Sequence, residues 1–357
     1  MAGAAASCLY HEFIDGPDRW YPVLSVFYLT NRCRFRCPYC SDGAGKPYHE
    51  LDDRILPAPA AVSLLGAIRR HCEHVVITGG EPLEHPEVDA VLEGTRGVGF
   101  KSVVFTTNGH ELDQHLDTIA GTVTNLVVSL DTLDGREGDA QYGAGAGVHA
   151  RVLSNIERAA ELPGRRFEMT ISSVVTPGGI PDLHAVYAWA KERDFTFAAC
   201  PQLVGVKAQG DLVGNPRYRE FYDFLIAEKR RGGKVFGTVR YLEYMRDLRK
   251  FRCRPFTMLV VSPLGQVFYP CLEQGHHAGN LLGKADLHAL RREARKVFGP
   301  QPDCDNRCHS ACALGFGVGL AYPSSLASEA WLQVRAAMRR GSLRLRGVRP
   351  YTGRGIG

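Results

Sequence analysis

Residues 23–40 read VLSVFYLTNRCRFRCPYC, an apolar, β-branched run that leads directly into a loop with three cysteines. Cys33, Cys37 and Cys40 are separated by three and then two residues, and the aromatic Tyr39 precedes the last of them. A structural zinc site closes with four ligands, whereas three thiolates on an iron–sulfur cube leave one iron free to bind a small molecule. The spacing therefore predicts a metal site with an open position, and a zinc knuckle or a disulfide-bearing loop remains the alternative from this loop alone.

Short β-branched runs alternate with longer amphipathic runs along the next part of the chain, up to Cys200. Parallel strands joined by helices form a right-handed α/β sheet, and six such units suit an open barrel better than a closed eightfold one. We therefore predict the fold class as α/β, a partial (β/α)6 TIM-like barrel. Its predicted strands are Val23–Leu29, His74–Thr78, Ser102–Thr106, Asn125–Leu130, Glu168–Val175 and Thr196–Cys200, and its predicted helices are Pro59–His71, Pro86–Arg96, Leu112–Ile119, Val148–Glu161 and Asp182–Glu192.

The residues around this barrel divide into four further segments. Helical patterns return at Tyr218–Arg231 and Tyr241–Lys250, and the run VVSPLGQVFYPC predicts a β-hairpin that ends at Cys271. The predicted organisation is an N-terminal extension (1–22), the barrel (23–200), bridging helices (201–252), a small cysteine-rich module (253–320), and a C-terminal helix with a basic tail (321–357).

Composition narrows the classes of function. The net charge of +5 is modest and is not concentrated in a basic stripe with stacking aromatics, so nucleic acid is not favoured as a partner. No run approaches the ~20 apolar residues of a membrane span, and the N-terminus lacks a secretion signal. Eleven cysteines, an odd number gathered mainly at two places, suggest thiolate ligation in a reducing compartment. We therefore expect a cytoplasmic protein without a membrane partner.

A second motif, GGEP at Gly79, Gly80, Glu81 and Pro82, follows the second predicted strand. Glycines allow backbone to approach a ligand closely, and Glu81 before a rigid proline offers acceptors to an ammonium group. Together, NRCRFRCPYC and GGEP resemble the radical S-adenosylmethionine (radical SAM) enzymes. The resemblance implies that an iron–sulfur cluster binds S-adenosylmethionine and cleaves it reductively, with an external electron donor of the flavodoxin or ferredoxin type.

The resemblance also implies roles for residues at the ends of successive strands. A catalytic [4Fe–4S] cluster is expected on the three cysteines of the loop, with Tyr39 near the adenine and the GGEP loop on the methionine amino group. Short polar side chains that end later strands would bind the ribose hydroxyls or the carboxylate, although turn formation and capping explain such residues equally well. These cofactor-binding residues are Asn108, Ser129 and Asp131, with Val175 expected to pack on the adenine.

The second cysteine group resembles the auxiliary-cluster modules of the same family, the SPASM domain and its shortened twitch form. Five cysteines are too few for two clusters, so we expect one auxiliary [4Fe–4S] cluster that uses Cys253, Cys271 and two of the last three. A four-thiolate zinc site is the alternative. The five candidate ligands are Cys253, Cys271, Cys304, Cys308 and Cys312.

These expectations lead to a hypothesis for the reaction. The 5′-deoxyadenosyl radical would abstract hydrogen from a small natural-product-type substrate, such as a sugar or an aminocyclitol, and drive oxidation or epimerisation with help from the auxiliary cluster. Cys200, at the end of the sixth strand, is a candidate hydrogen donor, and a plain buried cysteine is its alternative. The competing hypotheses are a maturase that modifies a ribosomal peptide or protein, and a non-catalytic iron–sulfur or zinc protein.

Overall fold

One nine-stranded sheet organises the chain, and its two ends do not join into a closed barrel. Six parallel strands follow one another across this sheet in chain order, as predicted. The computed structural model describes residues 16, 18–41, 45–283, 286–300, 308–325, 327–329 and 332.

Most of the six barrel strands alternate fully buried residues with partly buried ones, so one face of the sheet is more deeply buried than the other. Phe27, Ile77, Phe105 and Leu126 lie beside one another across the first four of these strands and have no exposed surface. The barrel strands are β1 (Leu24–Thr30), β2 (His74–Gly79), β3 (Ser102–Thr107), β4 (Asn125–Ser129), β5 (Glu168–Val175) and β6 (Thr196–Pro201).

Five further strands follow the barrel. The hairpin predicted before Cys271 is present, and its first strand pairs in parallel with β1, from Leu24 against Met258 to Phe27 against Val261. The sequence did not predict this pairing, which makes the hairpin part of the barrel sheet. The later strands are a separate ribbon of β7 (Leu203–Val204) and β8 (Lys207–Ala208), and the sheet strands β9 (Met258–Val261), β10 (Gln266–Tyr269) and β11 (His276–Asn280).

The helices begin with recognisable signals. Proline occupies the first turn of three of them, and the Asn215 side chain caps the helix that follows it by accepting from the amides of Arg217 and Tyr218. The α-helices of the described residues are α1 (Ala58–Arg69), α2 (Val88–Val98), α3 (Leu116–Thr122), α4 (Gly135–Tyr142), α5 (Val148–Ala160), α6 (Ile180–Glu192), α7 (Pro216–Arg230), α8 (Val239–Arg246), α9 (Leu287–Phe298) and α10 (Ala311–Ala321).

Two predicted helices have different bounds for local reasons. The segment predicted as one helix over Leu112–Ile119 is a 3-10 turn followed by α3, because His115 leaves the helical region and hydrogen-bonds Asp89 at 2.9 Å. The helix predicted to reach Lys250 ends at Arg246, and Leu248 adopts a positive φ of 45° just beyond it. Backbone of that handedness cannot continue a helix.

Helix α4 was not predicted at all. Its sequence, GREGDAQY, is polar around most of its circumference and lacks an apolar stripe. Helix α4 packs closely on α5. Gly138 of α4 lies so near the His149 ring of α5 that an added Cβ would be 2.9 Å from Nε2. Asp134 caps the N-terminus of α4 by accepting from two backbone amides.

No single helix among the described residues has the length and apolar character needed to span a membrane. The bent pair Ala311–Ala321 and Pro323–Glu329 meets those two criteria only when its members are taken together.

Candidate functional site

The cysteine loop after β1 is held against the GGEP loop after β2 by backbone contacts. Gly80 N donates to Thr30 O at 2.8 Å, and Glu81 N donates to Arg32 O at 2.7 Å. A Cβ on Gly80 would lie 2.5 Å from Asn31 O, so a side chain there has no room. The glycines of the motif therefore allow the two loops to lie against each other. This packing explains the glycines directly, whereas approach to a ligand stays a prediction.

The three cysteines share this loop and differ in burial. Cys33 and Cys37 are half-buried, and burial raises the pKa of each thiol to about 12. Cys40 is more exposed, and its amide donates to Cys37 O at 3.0 Å, which closes the turn between them. Among the described residues, no three His, Cys, Asp or Glu side chains lie close enough together to hold a metal ion. Three cysteines on one short loop nevertheless form the donor set that an iron–sulfur cluster uses.

Glu81 lies buried between the ends of β2 and β3, with 2% of its surface exposed. Its Oε1 accepts from Leu83 N at 2.9 Å and from the Thr107 hydroxyl at 2.7 Å, while Oε2 accepts from Asn108 N at 2.5 Å. Burial raises the pKa of this carboxyl to about 7 despite these donors. The carboxylate thus ties two strand ends together, and its contact with an ammonium group stays a prediction.

Asn108 carries a buried amide nitrogen that has no hydrogen-bond partner among the described residues. Its Oδ1 accepts from His110 N at 2.9 Å, so the side chain is fixed in place while Nδ2 remains unpaired. His110 Nδ1 is unpaired in the same way, and its ring lies 5.9 Å from that of Phe35 in the cysteine loop. Buried polar atoms are rarely left unsatisfied, so both atoms suit a bound cofactor. The sequence reasoning did not single out His110.

Asp131 follows β4 and joins three elements. Its Oδ1 accepts from Val174 N at 2.7 Å, and its Oδ2 accepts from the Tyr39 hydroxyl and from Gln141 Nε2, the latter at 2.6 Å. Gln141 Nε2 also donates to the Tyr39 oxygen at 3.0 Å. Burial raises the pKa of Asp131. The structure therefore connects two predicted cofactor-binding residues, Tyr39 and Asp131, through a glutamine that sequence reasoning missed.

The remaining predicted residues lie at the ends of β4, β5 and β6. Ser129 is half-buried, whereas Val175 has no exposed surface. Cys200 pairs with Val174 in the sheet, and its thiol lies 3.9 Å from Ser173 O. Burial, followed by the Asp131 carboxylate and the Cys312 thiol, raises the pKa of Cys200 to about 12. Cys200 is thus an electrostatic neighbour of Asp131, which bonds Tyr39 of the cysteine loop, and of Cys312 in the second cysteine group.

Three cysteines of the second group border one small cavity of about 10 Å³. Cys253, Cys271 and Cys308 line it together with Glu273. Burial and Glu273 raise the pKa of Cys271 above its usual value. Cys312 lies on α10, within electrostatic range of Cys200, and Cys304 lies outside the described residues. No three of the described side chains lie close enough together to hold a metal ion, so the auxiliary cluster and its ligands stay predictions.

A known protein family matches the part of the chain that carries the cysteine loop and the GGEP loop. Residues 27–185, from β1 into α6, match the Radical SAM superfamily. The chain contains a radical SAM domain. The matched residues include the cysteine loop, GGEP and the ends of β3, β4 and β5.

Curated relatives match the chain over about half of its length. GTP 3′,8-cyclase from Actinobacillus pleuropneumoniae (serotype 5b, strain L20) is 31% identical over 192 residues, which cover 51% of this chain and 53% of the relative. GTP 3′,8-cyclase from Vibrio cholerae (serotype O1, strain O395) is 32% identical over 194 residues, covering 51% and 54%. The chain therefore spans about half the length of these relatives.

Solved structures share the fold at low sequence identity. Streptococcus suis SuiB bound to S-adenosylmethionine has a TM-score of 0.56 and 19% identity, with 74% of this chain and 62% of SuiB covered. Native anSMEcpe with bound AdoMet has a TM-score of 0.57 and 18% identity, with 89% and 98% covered. Both support an open α/β barrel as the architecture of this chain.

Proposed function

We propose that this chain is a radical SAM enzyme that acts on a small natural-product-type molecule, such as a sugar or an aminocyclitol, and drives its oxidation or epimerisation. Cys33, Cys37 and Cys40 would hold the catalytic [4Fe–4S] cluster, whose open position S-adenosylmethionine would occupy. The cluster and S-adenosylmethionine, when bound, would supply a 5′-deoxyadenosyl radical that abstracts a hydrogen atom from the substrate.

The residues around the predicted cofactor site have separate tasks. Asn108 would donate its unpaired amide hydrogens to S-adenosylmethionine, since Nδ2 has no other partner among the described residues. Tyr39 and Asp131 would border the nucleoside, held by the hydrogen bonds between them. Glu81 would keep the ends of β2 and β3 together through its buried carboxylate.

The placement of Cys200 carries the proposal for the substrate reaction. Its thiol has the Asp131 carboxylate, next to the predicted cofactor site, and the Cys312 thiol of the second cysteine group as electrostatic neighbours. This sulfur is protonated at neutral pH, as an ordinary thiol is, and burial raises its pKa further, to about 12. A protonated thiol can give a hydrogen atom to a carbon radical, which would leave an inverted carbon and a sulfur radical. An auxiliary cluster on the second cysteine group would supply the electron that returns this sulfur to a thiol, together with a proton from solvent.

A second candidate is a ring-forming reaction on a nucleotide. Its support is that the curated relatives are named GTP 3′,8-cyclases and match about half of this chain. Modification of a ribosomal peptide or protein is a third outcome, which assays with precursor peptides would detect.

Anaerobic reconstitution tests the cofactors. The wild type should bind about eight irons, the content of two [4Fe–4S] clusters, and should form 5′-deoxyadenosine from S-adenosylmethionine under dithionite. Cys33→Ala should abolish this product, whereas Cys72→Ala, which removes a buried thiol bonded to His74 O, should retain it. No product from the wild type would point to a non-catalytic iron–sulfur or zinc protein. About four irons would refute the auxiliary cluster, and counts on Cys304→Ala, Cys308→Ala and Cys312→Ala would identify its ligands.

Substrate panels in D2O test the reaction. Aminocyclitols, sugars, GTP and precursor peptides encoded beside this gene would be offered separately, with 5′-deoxyadenosine above the background as the readout. Epimerisation would place one deuterium on the product carbon and would require Cys200, so Cys200→Ala should stop it while leaving hydrogen abstraction intact. A cyclised nucleotide, or a modified peptide, would replace the proposed function with the corresponding alternative.

A further inference from the structure

The end of α4 lies on the predicted cluster loop. Tyr142 O accepts from Arg36 N at 2.7 Å, and the Tyr142 ring stacks on Phe35 with centroids 4.4 Å apart and planes 21° apart. Gly143 ends the helix in left-handed backbone, and a Cβ there would lie 3.1 Å from Arg36 Cβ. These contacts fix the middle of the loop, between its first and second cysteines.

The residue before Tyr142 makes a different contact. Gln141 Nε2 donates to Asp131 Oδ2 at 2.6 Å and to the Tyr39 oxygen at 3.0 Å. Tyr39 in turn donates to the same carboxylate oxygen. The three side chains therefore form a closed triangle of hydrogen bonds, built from the cysteine loop, the loop after β4 and the end of α4.

The hydrogen bonds of this triangle hold buried side chains that have few other partners. Asp131 is 9% exposed, so loss of a donor would leave a buried carboxylate short of a partner. Gln141 is uncharged, and its amide donates to both partners at any pH at which the protein is folded. The glutamine can thus hold the tyrosine and the carboxylate in one relative orientation without adding a charge to the site.

We propose that Gln141 is a positioning residue of the cofactor site, which sets the orientation of Tyr39 and Asp131 for binding S-adenosylmethionine. This rests on the proposed function, in which both residues border the nucleoside. The backbone contact of Tyr142 holds the cysteine loop independently. Replacing the Gln141 side chain should therefore leave cluster assembly intact and weaken the binding of S-adenosylmethionine.

Three variants test the assignment in the reconstituted full-length protein. Gln141→Ala should fold and keep the wild-type iron content, with a modest loss of thermal stability from the unpaired Asp131 oxygen, yet bind S-adenosylmethionine about tenfold more weakly, as expected for about 1.4 kcal/mol of lost hydrogen bonding to a charged group. The Michaelis constant for S-adenosylmethionine should rise more than the turnover for 5′-deoxyadenosine falls. Arg136→Gln, an exposed change in the first turn of the same helix, is the matched control and should behave as wild type.

Gln141→Glu supplies a readout that a purely structural role would not move. The new carboxyl would face Asp131 and Tyr39, with Cys37 beside Tyr39 and Tyr142 next in sequence. Burial and the neighbouring carboxylate would raise its pKa. When protonated it donates a hydrogen bond as the glutamine does, and when ionised it repels Asp131. Affinity for S-adenosylmethionine, measured relative to wild type at each pH, should therefore fall about tenfold as the pH rises through that pKa.

The outcomes separate the two proposals. A wild type that neither binds S-adenosylmethionine nor forms 5′-deoxyadenosine overturns the proposed function and this inference with it. A wild type that does both, beside a Gln141→Ala variant with the affinity of Arg136→Gln, overturns the inference alone. Loss of iron from Gln141→Ala, or a pH-independent Gln141→Glu, would also overturn it, because the residue would then support the loop and not the cofactor.

Discussion

Replacing Gly80 with alanine should separate the two loops that form the predicted cluster site. The new Cβ would lie 2.5 Å from Asn31 O and 2.8 Å from the carbonyl carbon of Arg32, and ordinary contact begins near 3.4 Å. These are backbone atoms, so no side chain can rotate out of the way. The loops would have to move apart by at least about 0.9 Å, the difference between 3.4 and 2.5 Å, because Arg32 O lies nearer still.

This movement has a cost that can be estimated from the contacts. The hydrogen bonds from Gly80 N to Thr30 O and from Glu81 N to Arg32 O, now 2.8 and 2.7 Å, would lengthen beyond hydrogen-bond range. Two lost bonds at about 1 kcal/mol each, plus about 1–3 kcal/mol for overpacking, give a loss of about 3–5 kcal/mol in the free energy of unfolding. Iron content after reconstitution should fall as well.

Urea unfolding of the apo-protein, followed by circular dichroism, measures this loss directly. Gly66→Ala is the matched control, because Gly66 lies within α1 and a Cβ there would meet nothing within 4 Å. That variant should gain about 0.5–1 kcal/mol from helix propensity. A Gly80→Ala protein that unfolds at the wild-type urea concentration and retains its iron would refute the close contact of the two loops.

Three further predictions concern the core and the barrel mouth. Burial raises the pKa of Glu81 from 4.5 to about 7, so the apo-protein should lose about 3 kcal/mol of stability as the pH rises through this interval. Urea titrations across pH 4.5–7 measure this loss. Glu81→Gln should flatten the dependence of the unfolding free energy on pH. Tyr241→Phe should raise the melting temperature, since the Tyr241 hydroxyl is buried without a partner among the described residues. Tyr222→Phe should lower the melting temperature, because the Tyr222 hydroxyl donates to a carbonyl of β6. Equal changes in melting temperature for the two variants would contradict this reasoning. Gly94→Ala should lower the free energy of unfolding by about 1–3 kcal/mol, because the new Cβ would lie 2.9 Å from Cγ1 of Val62. Adding Val62→Ala should recover part of this loss, which a double-mutant cycle measures.

The barrel was predictable because its strands follow simple patterns. The strand predicted as Glu168–Val175 has those bounds, and the one predicted as Val23–Leu29 is displaced by a single residue. Each carries apolar residues on one buried face, between turn residues, and a period of two is typical of a strand. Helix α4 escaped prediction because its contacts with the cysteine loop, and not an apolar stripe of its own, hold it in place.

The candidate site was predictable to a lesser extent. Its motifs are short and local, so the residues of the cysteine loop and of GGEP could be named from spacing. Gln141 could not, because it meets Tyr39 across 102 positions and no local pattern distinguishes it from any other helical glutamine. The same limit applies to the unpaired nitrogen of Asn108, since burial without a partner is visible only in three dimensions.

The parallel pairing of β9 with β1 matters for anyone who would exchange parts of this protein with a relative. Cys253 and Cys271 flank a hairpin whose first strand is bonded to the same strand that leads into Cys33. Removing that hairpin would leave β1 with an unpaired row of amides and carbonyls, which invites association with other chains. A chimera that transplants the second cysteine group must therefore carry a compatible neighbour for Leu24–Thr30, so the two cysteine regions have to be exchanged together.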